Sequence, residues 1–332
     1  MKTKNYFIIL CILLLIILYT PIVKESFKDD INIQFVSIPV AIQIFDRSMH
    51  YNKMYDIEIY SRTNGLIGLD LERGERISKL RALYHSKIME FSQEEKDAIS
   101  KLCSKIKLDN AKWKFIKINN GIDWNYPYTI GDSIILPADK VYSIKNSVES
   151  TDKILMRSHI NTLTHEYMHV LQRKYQHLFD KFYIEKWGFT KPKNIENDAW
   201  VKKYWITNPD TMDENWLYDL NQLSNKDNKK PNFIWTRFLV DPKDFKQHIK
   251  VAINVDEIGN GDYEVVTVGG IPLHKDLISV KSFNDRFFNI RQIYHPNEIF
   301  ANFAADAHNL RFMYPNDYKE IHDFLNNILK LK

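Results

Sequence analysis

The five residues His165-Glu166-Tyr167-Met168-His169 constrain this chain more than any other stretch. In a helix, side chains four apart lie on one face, so His165 and His169 present two imidazoles to a single metal ion. Glu166 stands beside that face, within reach of a water on the same ion. Zinc chemistry needs this set: nitrogen ligands of borderline softness, an open coordination position and a carboxylate to take a proton. A pattern this short also occurs by chance in a solvated helix, so its surroundings decide.

Those surroundings point to a helix over 152 to about 176, with Met156, Ile160, Leu163, Tyr167, Val170 and Leu171 on a broad apolar face. Both histidines fall mid-helix, and imidazoles set between apolar faces need a hydrogen-bond or metal partner. Upstream, 129–137 reads as a short strand closed by Pro137. Ser92-x-x-Glu95 is a capping-box signature for a helix reaching about Ile106, and Ile77, Leu80, Leu83 and Tyr84 mark another over 73–89. The segment 31–45 is rich in Ile, Val and Phe and reads as one or two strands broken near Pro39. Further strands are expected at 113–118, 233–240 and 263–268, and an amphipathic helix at 318–331.

The amino terminus is different in kind. Residues 6–19 are almost wholly apolar and the run continues to Val23, near the lower length limit of a membrane span. No small-residue cleavage pattern ends it, which favours an uncleaved single-pass anchor with the rest of the chain extracytoplasmic. A cleaved segment would give a secreted form instead. With 46 basic against 42 acidic residues and no long basic block, nucleic acid is not an expected partner. Cys11 lies in the apolar run and Cys103 on an apolar helix face, so no disulfide is available to staple the fold.

With its preceding strand at 128–137, His165-Glu166-Tyr167-Met168-His169-Val170-Leu171-Gln172 resembles zincin-fold metallopeptidases, more narrowly the compact metallopeptidase domains of bacterial and viral proteins. The resemblance covers about 125–176 and, more loosely, 290–312. It implies one zinc ion held by His165 and His169, Glu166 as general base, and a peptide or protein substrate. The metzincin variant requires Gly at Gln172 and His at Tyr175, and has neither here. His177 and Glu185 are nearby candidates for a third ligand. Glu298 fits better, because it resembles the third ligand that gluzincins draw from a second helix, and Pro296 suits the start of one. Asn302 stands where that family often has an acidic residue orienting a ligand histidine, and Asp306 is the alternative support. Tyr294, His295, His308, Arg311 and Tyr314 are candidates for stabilising an oxyanion.

The expected architecture is therefore α+β: a zincin-like core with an amino-terminal transmembrane helix and additional mixed α/β segments. Its divisions are a cytoplasmic tail at 1–5, an anchor at 6–23, a mixed or helical subdomain at 24–110, a catalytic region at 111–315 with an insertion at about 186–232, and a terminal helix at 316–332. The rival reading is a catalytically silent, membrane-anchored scaffold of the same framework. Loss of Glu166 would be tolerated by a mere scaffold, so its presence argues for chemistry.

Overall fold

The computed structural model describes residues 32–49, 51–106, 108, 111–212, 214–221, 232–287, 294–310 and 319–330, which form a mixed α+β fold. The first sheet contains β1 (Asn32–Phe35), β2 (Ile88–Met89), β3 (Lys112–Ile118), β4 (Tyr128–Ile130) and β5 (Ser133–Pro137). Its order is β1-β3-β5-β4, with β2 antiparallel along the far end of β3. β1, β3 and β5 run parallel, and β5 is buried along its whole length. Such continuous apolar strands are the pattern of a sheet covered on both faces. Alternate residues duly enter two cores: Phe115, Ile134 and Leu136 pack with Leu163 and Met168, while Ile116 and Ile135 pack with Phe45 and Tyr84. β1 precedes residue 110 and β3 follows it, so one sheet draws on both sides of that position.

The second sheet begins with β6 (Phe189–Thr190), β7 (Asn194–Glu196) and β8 (Leu217–Asp219), all inside the segment 186–232. It continues through β9 (Phe233–Asp241), β10 (Asp244–Gly259) and β11 (Asp262–Val265) in the order β6-β8-β9-β10-β11-β7. A hairpin of β12 (Thr267–Val268) and β13 (Ile271–Pro272) turns at Gly269 and Gly270, whose φ of 62° and 78° glycine adopts freely. The next strand, β14 (His274–Asp276), returns to pair with β10.

Two helices carry the site. The motif helix, Lys153–Lys174, is capped by Asp152, whose Oδ1 accepts from the backbone N–H groups of Ile154 and Leu155, both at 2.9 Å. The partner helix, Pro296–Leu310, packs against it. Pro296 occupies a first-turn position where a missing N–H is no loss, and buried Ala301, Ala304, Ala305 and Ala307 keep that helix slender.

Local departures from the sequence reading have simple causes. The 31–45 segment yields β1 and then a helix, Ile38–Ser48, with Pro39 in its first turn rather than interrupting a strand. The 129–137 segment is a hairpin of β4 and β5, because Gly131 (φ 59°) turns the chain. β10 was not legible because its first half is polar and only half covered.

The membrane expectation is corrected. Among the described residues no helix is long and apolar enough to cross a membrane. The long motif helix alternates its apolar stripe with Lys153, Arg157, Asn161 and Arg173. The run 6–23 lies outside the described residues. An apolar run states how a segment partitions, not what structure it takes. The anchor, the membrane partner, and the single-pass and extracytoplasmic location that rested on it are not retained.

A buried charge network joins four segments beside the site. Arg62 donates from Nε to Glu58 (2.8 Å), from Nη1 to Asp123 (2.7 Å) and from Nη2 to the carbonyl of Thr207. Glu58 also accepts from the Thr207 N–H and hydroxyl, and Asp123 from the Tyr84 hydroxyl. Removing the cation strands two desolvated carboxylates. Arg62→Ala is expected to lower the unfolding free energy by about 3–5 kcal/mol, whereas breaking the exposed Lys281–Asp285 pair should change it by less than about 1 kcal/mol. Urea denaturation of the two variants beside the parent checks the contrast.

Candidate metal centre

Three ring and carboxylate atoms converge where the motif helix meets the partner helix. His165 and His169, one turn apart, have their Nε2 atoms 3.1 Å from each other. Glu298 Oε2 lies 3.3 Å from the first and 3.7 Å from the second. The point equidistant from all three atoms is about 2.0 Å from each, against about 2.0–2.2 Å for imidazole and carboxylate ligands of a zinc-sized ion. The spacing would let these three atoms hold one small cation. The residues present fit a divalent ion.

The donors are oriented by neighbours. His169 donates from Nδ1 to Gln172 Oε1 at 2.8 Å, which leaves Nε2 as the lone-pair nitrogen facing the cluster. The Gln172 amide nitrogen in turn donates to the backbone carbonyl of Asn297 (2.9 Å) and to the Tyr183 hydroxyl (3.0 Å). One fully buried glutamine thus fixes a histidine tautomer and ties it to the residue before Glu298. Glu298 Oε1 accepts from the Asn208 amide at 2.8 Å, and the Tyr294 hydroxyl stands 3.5 Å away. With Oε1 so engaged, Oε2 is left to the histidines.

Glu166 is 4% exposed, and its Oε2 has no hydrogen-bond partner among the described residues. It forms a second acidic group with His169 and Asp210, their ligand-type atoms all within 4.8 Å of one another. Asp210 is largely committed elsewhere: its Oδ1 accepts from the Thr129 N–H (2.9 Å), the Thr129 hydroxyl and Arg173 (3.3 Å). Arg173 also donates to the Thr129 carbonyl at 3.1 Å. The N–H and C=O of Thr129, on the edge strand β4, are therefore both bonded away from β5.

Electrostatics in this pocket favour a cation. Burial opposes charge on His165, but the hydrogen bond to Glu298 and the fields of Glu166, Glu298 and Asp210 outweigh it and raise the imidazole to about 9. Burial dominates at His169, lowering it to about 3, with protonated His165 adding to the effect. Burial, then Asp210 and Glu298, push Glu166 well above the usual carboxylate range. A proton on His165 stands where a metal cation would.

The other candidates distribute as follows. Asn302 donates its amide to the Glu298 carbonyl at 2.8 Å, one turn back, and so serves its own helix. Asp306 is 3.5 Å from the Asn161 amide. Tyr294 is at the cluster, while His295 is buried with its Nδ1 accepting from the Asn297 N–H. Glu185 pairs with Lys181 on the surface and is not part of the cluster. Arg311 and Tyr314 lie outside the described residues, as does the side chain of His308. Gln172, Asn208 and Asp210 escaped the sequence reading. Only Gln172, a polar residue three after His169 on a buried face, left any signal.

Comparison with family models, curated proteins and solved structures finds no match to this chain. The resemblance to zincin-fold, gluzincin-like metallopeptidases is corrected accordingly. It rested on five residues and a preceding strand, and any helix places positions i and i+4 on one face whatever fold surrounds it. What stands is the buried His165, His169 and Glu298 cluster with Glu166 and Asp210 beside it.

Two outcomes follow. Gln172→Leu should weaken zinc binding about 10–100-fold, measured against a chromophoric chelator, because His169 loses its orienting acceptor. A cation must also displace the proton that His165 holds below about pH 9. Zinc affinity should therefore rise at least about tenfold per pH unit between pH 6 and 8, with at least about one proton released per ion in calorimetry across buffers of different ionisation enthalpy.

Proposed function

We propose that this protein is a zinc-dependent hydrolase of peptide bonds, with His165, His169 and Glu298 holding the ion and Glu166 acting as general base. One observation carries the reading: three ligand atoms spaced for a single small cation stand beside a buried carboxylate oxygen with no partner among the described residues, in the wall of a cleft. When bound, such an ion supplies Lewis acidity toward a carbonyl and lowers the pKa of water.

The chain's own residues supply the remainder. Glu166 takes the proton of the attacking water at Oε2 and returns it to the leaving amine. Burial and the Asp210 carboxylate push Glu166 well above the usual carboxylate range, and a bound divalent ion would favour its ionised, basic form. Gln172 holds His169 in the tautomer with its Nε2 lone pair free, and Asn208 keeps Glu298 turned inward. Helix backbone fixes the spacing of both histidines and of the base, so little reorganisation is required when charge develops.

The deciding comparison is the full chain against Glu166→Gln. Both should contain about one zinc per chain by elemental analysis, and the variant should cleave casein at least about 100-fold more slowly. Absence of zinc from both proteins, or equal cleavage by both, rejects the assignment.

A further inference from the structure

The cleft that holds the cluster encloses about 800 Å³, and its two ends differ in chemistry. Rings gather at one end. Phe238 lies 4.7 Å from the His248 ring and stacks on Tyr294 at 5.2 Å, while Trp124 lies 5.4 Å from His248 and 6.3 Å from Phe238. Trp124 is placed there at a conformational cost: Asp123, Trp124 and Asn125 have φ of 50°, 53° and 57° in succession. Left-handed backbone is disfavoured for residues with a Cβ, and a run of three persists only where neighbours enforce it. The bonds from Arg62 and Tyr84 to Asp123 do so. Trp124 Nε1 and His248 Nδ1 are buried with no hydrogen-bond partner among the described residues, so this end offers polar atoms as well as ring faces.

Arg62 and Lys250 also border the ring end, Arg62 over the Trp124 ring at 5.6 Å and paired with Glu58 and Asp123, and Lys250 with its field reaching His248. Two more cations line the cleft beyond the rings. Lys140 and Arg157 both face the cleft, and neither makes an ion pair among the described residues. The acidic groups whose fields reach them are Glu166 and Asp139 for Lys140, and Asp306 for Arg157.

The partner helix sets the order of these ends. Tyr294 stands just before it, Glu298 is in its first turn, and Asp306, in the field of Arg157, comes eight residues later, about 12 Å along the axis. The metal cluster thus lies between the rings and Arg157, over a span of about four extended residues, with Lys140 in the field of Glu166 beside the cluster.

We infer that the cleft takes an extended peptide with an aromatic or large apolar side chain toward Trp124 and Phe238 and a carboxylate side chain toward Lys140 and Arg157. The inference rests on the hydrolase reading for its reaction, but binding tests it without turnover. The probes are fluorescein-labelled peptides with Phe and Glu four positions apart, and matched peptides with Phe→Gly or Glu→Lys changes. Anisotropy on zinc-loaded Glu166→Gln protein should show at least tenfold tighter binding of the Phe and Glu peptide than of either matched one. Arg157→Glu, at an exposed position, should erase the preference for Glu over Lys while keeping that for Phe, and Lys140→Glu with Arg157→Glu should invert it. Trp124→Ala should lose the Phe preference alone. Equal binding of all peptides by the parent protein, or an unchanged Glu preference in the doubly reversed variant, overturns the inference. Selective binding with no cleavage of any peptide or of casein by the wild type overturns the hydrolase reading and leaves the binding inference standing.

Discussion

The structure depends on the contact between the motif helix and the partner helix. Glu298 is 129 residues beyond His169, yet its Oε2 comes within 3.7 Å of the imidazole. Three groups that each resist desolvation are thereby buried together, which is tolerable only when they satisfy one another or share a cation. The alanines of the partner helix permit the approach, and Gln172 sets its register through the Asn297 carbonyl. Shifting either helix by one residue would rotate a ligand out of the triangle.

Around that contact the rest of the molecule acts as support at increasing range. Asn208 reaches Glu298 from a segment anchored by Arg62, whose guanidinium also holds Asp123 and hence the left-handed run that presents Trp124. The first sheet supplies the floor, with Leu136 and Phe115 in the same core as Leu163 and Met168 of the motif helix. Charge is handled by pairing across segments that are distant in sequence, and those pairs help fix the cleft walls.

The sequence made some of this legible and concealed the rest for physical reasons. His165, Glu166 and His169 could be placed together because helical periodicity is local and needs no knowledge of the fold. Glu298 could be reached because Pro296 and the alanine-rich run mark a helix start. Asn208 and Asp210 left no trace: an Asn-Pro-Asp string reads as a turn, and only tertiary folding brings it to Glu298 and Thr129. Asn302 stands one turn after Glu298 as the pattern suggested, but its amide bonds its own backbone, an option open to any asparagine inside a helix. The family resemblance and the membrane anchor each rested on a short string whose physics is compatible with several structures.

The engagement of Thr129 by Asp210 and Arg173 has a consequence for how chains meet one another. β4 is an edge strand, and a free N–H and C=O there would form a template for a strand from another molecule. With both groups bonded by side chains, that edge is closed at its central residue to sheet extension and to the aggregation that follows from it. A peptide entering the cleft beside β4 must therefore be held by its side chains and not by ladder pairing at Thr129, which gives sequence more weight than extended shape in what the cleft accepts.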